Sequence, residues 1–283
     1  MSPDLATPAR IARPLRDLAA WVSHFRSAPI PVLDATADAV CELAANEDAV
    51  DAHMLAETVA ADPLMTLKLL AHVGTTSRRE TDVETVVAAL VLLGIGPFFR
   101  CFGALRTIGQ LLSETADAGE VRSGLQAVLD RSHRAARFAL GFAAHRLDPD
   151  AGVIHEAALL HGFAELLLWC HAPALALEVA RRQRADPTLR SAPVQRAVLG
   201  ITLADLQQAL MKAWRLPELL IRLDDARHAH STQVRNVMLA VRLARHTAHG
   251  WNNAALPDDV AEIATLLLLG NEPTLKLLRE IDT

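Results

Sequence analysis

Apolar residues return every three or four positions along almost the whole of this chain, and the residues between the runs are those that start and stop helices. A half-buried strand needs alternation at every second residue, and no stretch of useful length shows it. The sequence therefore predicts an all-α fold.

The punctuation gives the expected helices. Pro14, a favoured first-turn residue, opens a helix to about Ser27 with Leu15, Leu18, Val22 and Phe25 on one face. Pro29 and Pro31 stop it and launch a second helix carrying Leu33, Val40 and Leu43, which ends near Asn46. A third begins at about Asp51. Asp62-Pro63 reads as cap and first residue of a fourth, Leu64 to Val73, which Gly74 should close in left-handed geometry. Thr81-x-x-Glu84 reads as a capping box for a fifth, Val83 to Leu93, terminated by Gly94. A sixth is expected around Ala104 to Leu112. Longer elements follow at Glu120 to Arg146, Val153 to His171 and Pro173 to Arg184, then an exposed loop from Ala185 to Ala192. Helices resume at Leu203 to Trp214, Pro217 to His228, Ser231 to His249, Pro257 to Leu269 and Glu272 to Ile281. Without a fixed-period repeat or a low-complexity linker, the reading is a tail (1–13) and one helical domain (14–250). That domain has an N-terminal part (14–112) and a core (119–250), and residues 251–283 form its helical extension.

Composition narrows the function. With 51% apolar residues among 283, a sizeable core is available. The net charge of −5 argues against general attraction to nucleic acid or an anionic membrane. Aromatic residues make up only 4% and Tyr is absent, which removes the usual platform for stacking bases. Cys41, Cys101 and Cys170 form no CxxC and lie in apolar helical patterns, so they are expected to be reduced and buried. The N-terminal stretch lacks the apolar core of a signal peptide, and the runs Val86 to Ile95 and Phe138 to Ala144 are too short to span a bilayer. A cytoplasmic location is expected.

Several motifs occur in a meaningful order: Ile30-Pro31-Val32-Leu33, Asp62-Pro63, Gly74-Thr75-Thr76 and Leu92-Leu93-Gly94-Ile95-Gly96. His133 in a long helix, Leu159-Leu160-His161, and Trp214-Arg215-Leu216-Pro217 with Arg227-His228 come later. The set resembles the HDOD family, the HD-related output domains of bacterial signalling proteins, over roughly Ile30 to His228. The resemblance implies a helical bundle related to the HD-domain phosphohydrolase fold and a regulatory role in bacterial signal transduction.

Three departures bear on chemistry. The family usually writes Asn-Ser-Ala where this chain has Gly74-Thr75-Thr76. Active HD enzymes, the resemblance implies, hold their metal with a His, a His-Asp pair and a distant Asp. Here Gly162 follows His161, with Ala164 where Gly is usual, and the distant carboxylate is expected where Ala240 and Val241 stand. A hard dication needs carboxylate oxygens, and imidazoles alone hold Mg²⁺ or Mn²⁺ poorly. The metal site therefore reads as degenerate.

No catalytic residue, metal ligand or cofactor is assigned. His133, His161 and His228 mark a candidate residual pocket, with His133 and His161 facing one another across the bundle. Either they are core or rim histidines bonded to backbone carbonyls, or they line a pocket for a small anion or nucleotide. His246 and His249 share a helix face but lack further ligands at matching spacing for zinc. Arg181, Arg182 and Arg184 offset a helix dipole, and Asp224-Asp225 diverge by about 100° on a helix. Neither GxxxxGK[ST], GxGxxG nor GxSxG is present. The expected function is a non-catalytic signalling module acting through contacts with a signalling protein and tuned by a small ligand. Two alternatives stay open: a phosphohydrolase with a His-based metal site acting on a nucleotide or cyclic dinucleotide, and a cyclic-dinucleotide sensor without turnover.

Overall fold

The computed structural model describes residues 10–76, 83–113, 115, 117–186, 188–223 and 225–283. Its first helix, α1 (Leu18–Ser27), opens at Asp17, whose carboxylate accepts from the Ala20 amide at 2.8 Å. The start falls later than Pro14 because an aspartate cap satisfies amides that the first turn leaves open. Helices α2 (Asp34–Ala44) and α3 (Ala52–Ala60) lie close to expectation, and Asp51 caps α3 through the His53 and Met54 amides.

Helix α4 (Pro63–Thr76) starts as the Asp62-Pro63 pair predicts but does not stop at Gly74. A Cβ there would meet the Trp214 carbonyl oxygen at 2.3 Å and that of Arg215 at 2.7 Å. Glycine at this position permits two backbones to approach; it does not end the helix. Thr85 caps α5 (Val86–Leu93) by accepting from the Ala88 amide, whereas the expected cap Thr81 lies outside the described residues. Gly94, at φ 83°, ends α5 as expected and leads straight into α6 (Ile95–Phe102), a helix not foreseen from sequence. The expected sixth helix shortens to α7 (Ile108–Leu112), opened by a Thr107–Gln110 capping box. Val32 forms an isolated parallel bridge to Thr107 just before it.

Next come α8 (Ala118–His145), α9 (Ala151–Leu160), α10 (Phe163–His171) and α11 (Pro173–Ala185). The single helix expected from Val153 to His171 is thus two, broken at His161-Gly162. A helix absent from expectation, α12 (Ser191–Leu199), follows, then α13 (Leu203–Trp214). The segment expected as one helix from Pro217 to His228 is α14 (Glu218–Arg222) and a 3₁₀ turn, Ala226–His228. The chain closes with α15 (Thr232–His246), α16 (Leu256–Leu267) and α17 (Asn271–Ile281).

The most extensive packing joins α8 to α15 and α9. Phe138 and Phe142 of α8 are fully buried, each contributing roughly 1.5–3 kcal/mol. An exposed pair such as Arg182–Glu178 contributes about 0.3–0.5 kcal/mol, so burial, not surface charge, sets the architecture. Among the described residues one stretch, Ala151–His171, is long and apolar enough to cross a membrane, and most of it is buried inside the fold. Cys170 is buried, but Cys41 and Cys101 are exposed, contrary to expectation. On α2 the buried positions are Thr36 and Val40, and on α6 they are Phe98, Phe99 and Phe102, so each exposed cysteine sits about 100° off the buried face.

Four buried or half-buried polar groups join distant segments. Asp62, wholly buried, accepts from the Leu33 amide at 2.7 Å and from the Leu64 and Met65 amides at 2.8 and 3.2 Å. Both oxygens of Glu156 on α9 accept from the Val86 amide at 2.9 Å, so a residue on another helix caps α5. Arg134 on α8 donates to both Asp282 oxygens at 2.8 and 2.6 Å and to the Thr247 carbonyl, pinning the end of α17. Asp259 of α16 likewise meets Arg242 and His246 of α15 at 2.7 and 2.6 Å, giving His246 a structural partner.

Candidate functional site

A cleft of about 750 Å³ opens where α8, α10, α11, α12, α13 and α15 converge on the break between α9 and α10. The break supplies His161 and Gly162. Helix α8 contributes Arg131, Ser132 and Ala135, α10 contributes Glu165, and α15 contributes Val241 and Arg245. Arg196 comes from α12, and Gln183 and Gln195 add polar walls.

Of the three sequence candidates, His161 alone lines this cleft. His133 lies about 200° around α8 from Arg131 and Ala135, with Nε2 3.0 Å from the Ala61 carbonyl oxygen and His155 nearby. His228 is in the 3₁₀ turn, its Nδ1 3.3 Å from Asp225 Oδ2. The side chain that α8 sends toward His161 is Arg131, a residue the sequence reading passed over. Its counterpart from α15 is Val241, one of the two positions where a distant carboxylate was sought.

The electrostatics of the cleft are those of a basic surface. Arg131 Nη2 donates to Glu165 Oε2 at 2.6 Å. Thr202 donates its hydroxyl to Asp205 at 2.6 Å. Arg245 and Arg196 have no carboxylate partner among the described residues, and the side-chain contact of Arg245 is His246 Nε2 at 3.5 Å. Burial, and then the charges of Arg131 and Arg245, hold the His161 pKa down at about 4, so its imidazole is neutral near pH 7. Gly162 has φ −106° and ψ 16°, and its nearest neighbour is Ser132 Oγ, 3.8 Å from an ideal Cβ. A side chain would fit there. Among the described residues, no three His, Cys, Asp or Glu side chains converge as a metal-binding group.

Comparison with known proteins places this architecture. The HDOD domain family profile matches residues 30–230. The chain belongs to the HDOD family. The crystal structure of the MmoQ response regulator from Methylococcus capsulatus str. Bath is 24% identical, with a TM-score of 0.63, covering 88% of this chain and 98% of that one. A virulence factor from Campylobacter jejuni subsp. jejuni, 15% identical, gives a TM-score of 0.61 over 88% of both chains. At these identities the likeness is one of fold. No curated protein matches the sequence. The ordered motifs find their reason here: Gly74, in Gly74-Thr75-Thr76, packs against the backbone of Trp214-Arg215, so two HDOD segments 140 residues apart form a single contact.

Proposed function

We propose that this HDOD protein is a non-catalytic signalling module that acts through contact with another protein and is tuned by a small ligand in the cleft at His161. The observation that carries the reading is what stands beside His161: the Arg131 guanidinium from α8, with the apolar Val241 lining the same cleft from α15. A divalent cation beside His161 would meet the charges of Arg131 and Arg245, and Glu165, the carboxylate that α10 brings to the cleft, is already held by Arg131. The residues at this place do not fit a metal.

Two further facts support action by contact. HDOD membership carries the resemblance to bacterial signalling modules, and MmoQ, which shares the fold, is a response regulator. On α5, Val87 and Val91 lie one turn apart and are 49% and 71% exposed, an apolar edge suited to a partner. Elemental analysis of the purified chain, with assays of phosphate release from mono- and diesters in added Mn²⁺, tests the reading. The expected result is substoichiometric metal and no turnover. One Mn, Fe or Zn per chain together with phosphate release would overturn it in favour of a phosphohydrolase.

A further inference from the structure

The cleft has more cationic capacity than its fold requires. Of its three arginines, Arg131 is neutralised by Glu165, whereas Arg196 on α12 and Arg245 on α15 face the same space without a carboxylate partner among the described residues. The second acid at the rim, Asp205, accepts from Thr202 instead. Both residues are exposed, so each guanidinium stays open to solvent and to a ligand entering the cleft. What they suit is an anion with several oxygens, since each planar fork can donate two parallel hydrogen bonds. A single carboxylate engages one such fork, whereas a phosphate has oxygens enough for two. The cleft volume of about 750 Å³ lies within the usual range of small-molecule sites, roughly 300–1,000 Å³, and exceeds what a bare inorganic anion fills. Gln183 on α11 donates its Nε2 to Ser191 and Gln195 on α12 accepts the Leu203 amide at its Oε1, which leaves one Oε1 and one Nε2 for a polar body.

We propose that the cleft binds a phosphorylated small molecule, with Arg196 and Arg245 taking the phosphate and the glutamine-lined wall its polar body. This rests on the reading of the cleft as a ligand pocket. Bound there, the anion would lie against the helix break at His161-Gly162, and no bond is made or broken.

Calorimetric titration of the full chain with AMP, inorganic phosphate and adenosine, alongside NMR titration of His161, tests the proposal. AMP should bind, phosphate more weakly and adenosine not at all. Arg245→Ala and Arg196→Ala should each weaken AMP at least about tenfold, while Arg16→Ala, on the exposed N-terminal surface, should leave it unchanged. AMP should also raise the His161 pKa, because a nearby anion favours the imidazolium. Phosphate binding as tightly as AMP would restrict the site to the free ion and overturn the polar-body part. No AMP binding at millimolar concentration, or binding indifferent to both arginine variants, would overturn the proposal. If metal and turnover remain absent in that case, the signalling reading stands and only the ligand assignment fails.

Discussion

Gly74→Ala isolates the contact between the two distant HDOD segments. The added methyl would lie 2.3 Å from the Trp214 carbonyl oxygen and 2.7 Å from that of Arg215, about 1 Å inside ordinary van der Waals contact. Neither oxygen can swing away on a side-chain torsion, and the Leu216 amide fixes the turn by bonding the Met211 carbonyl at 3.0 Å. Helices α4 and α13 must therefore separate, an overpacking cost of about 2–3 kcal/mol. Alanine returns roughly 1 kcal/mol through helix propensity, so the net loss is about 1–2 kcal/mol. Gly119→Ala on α8 is the control, since nothing lies within 4 Å of its Cβ position and the same propensity gain acts alone. Urea unfolding followed by circular dichroism should move the midpoint down for Gly74→Ala and slightly up for Gly119→Ala. A Gly74→Ala protein as stable as wild type, with the control behaving as stated, would refute the close-approach account.

Other outcomes follow from the buried polar groups. Burial raises the Glu156 pKa to about 7, so the folded chain holds a proton that the unfolded chain releases near 4.5, and the stability this proton contributes falls as pH rises between those values. His161 and His171, both lowered to about 4, act oppositely between about 4 and 6.5, so the informative quantity is a difference. The stability of Glu156→Gln relative to wild type should climb by up to roughly 3 kcal/mol from pH 5 to pH 8, and a flat difference would refute the assignment. Asp282→Ala leaves the mostly buried Arg134 guanidinium without a carboxylate, held by the Thr247 carbonyl and the Phe138 ring, and should cost about 2–4 kcal/mol in denaturant unfolding. A loss under about 0.5 kcal/mol would mean that the pin is slack. Gly162→Asp has room for its side chain and should change stability by less than about 1 kcal/mol, with the new carboxylate turning to Arg131. Stoichiometric Mn²⁺ in that variant would show that a missing acid, not the neighbouring guanidiniums, keeps metal out.

What sequence could reveal depended on whether a signal was local. Asp51, Asp62-Pro63 and Gly94 act within one turn of themselves, so their roles as caps and stops were legible. Helices α6 and α12 were not expected, yet Pro97 and Pro193 are each the third residue of their helix, where the missing amide has no partner to lose. Gly74 was legible as a position needing glycine, but the reason lies 140 residues away at Trp214. His133 is singled out by the family resemblance, whereas the residue presented to His161 is Arg131, two positions earlier on the opposite side of α8. The cap that Glu156 gives Val86 had no local trace, since it joins residues 70 apart.

The break at His161-Gly162 has a mechanical corollary. Helix α9 ends at the cleft wall, and Glu156 stands five residues back, about 7.5 Å along the axis. Because Glu156 grips the first amide of α5, a push on the tip of α9 would drag the root of α5, and with it the outward ridge of Val87 and Val91. The occupant of an inner chamber and the shape of an outer handle would then be two ends of one lever.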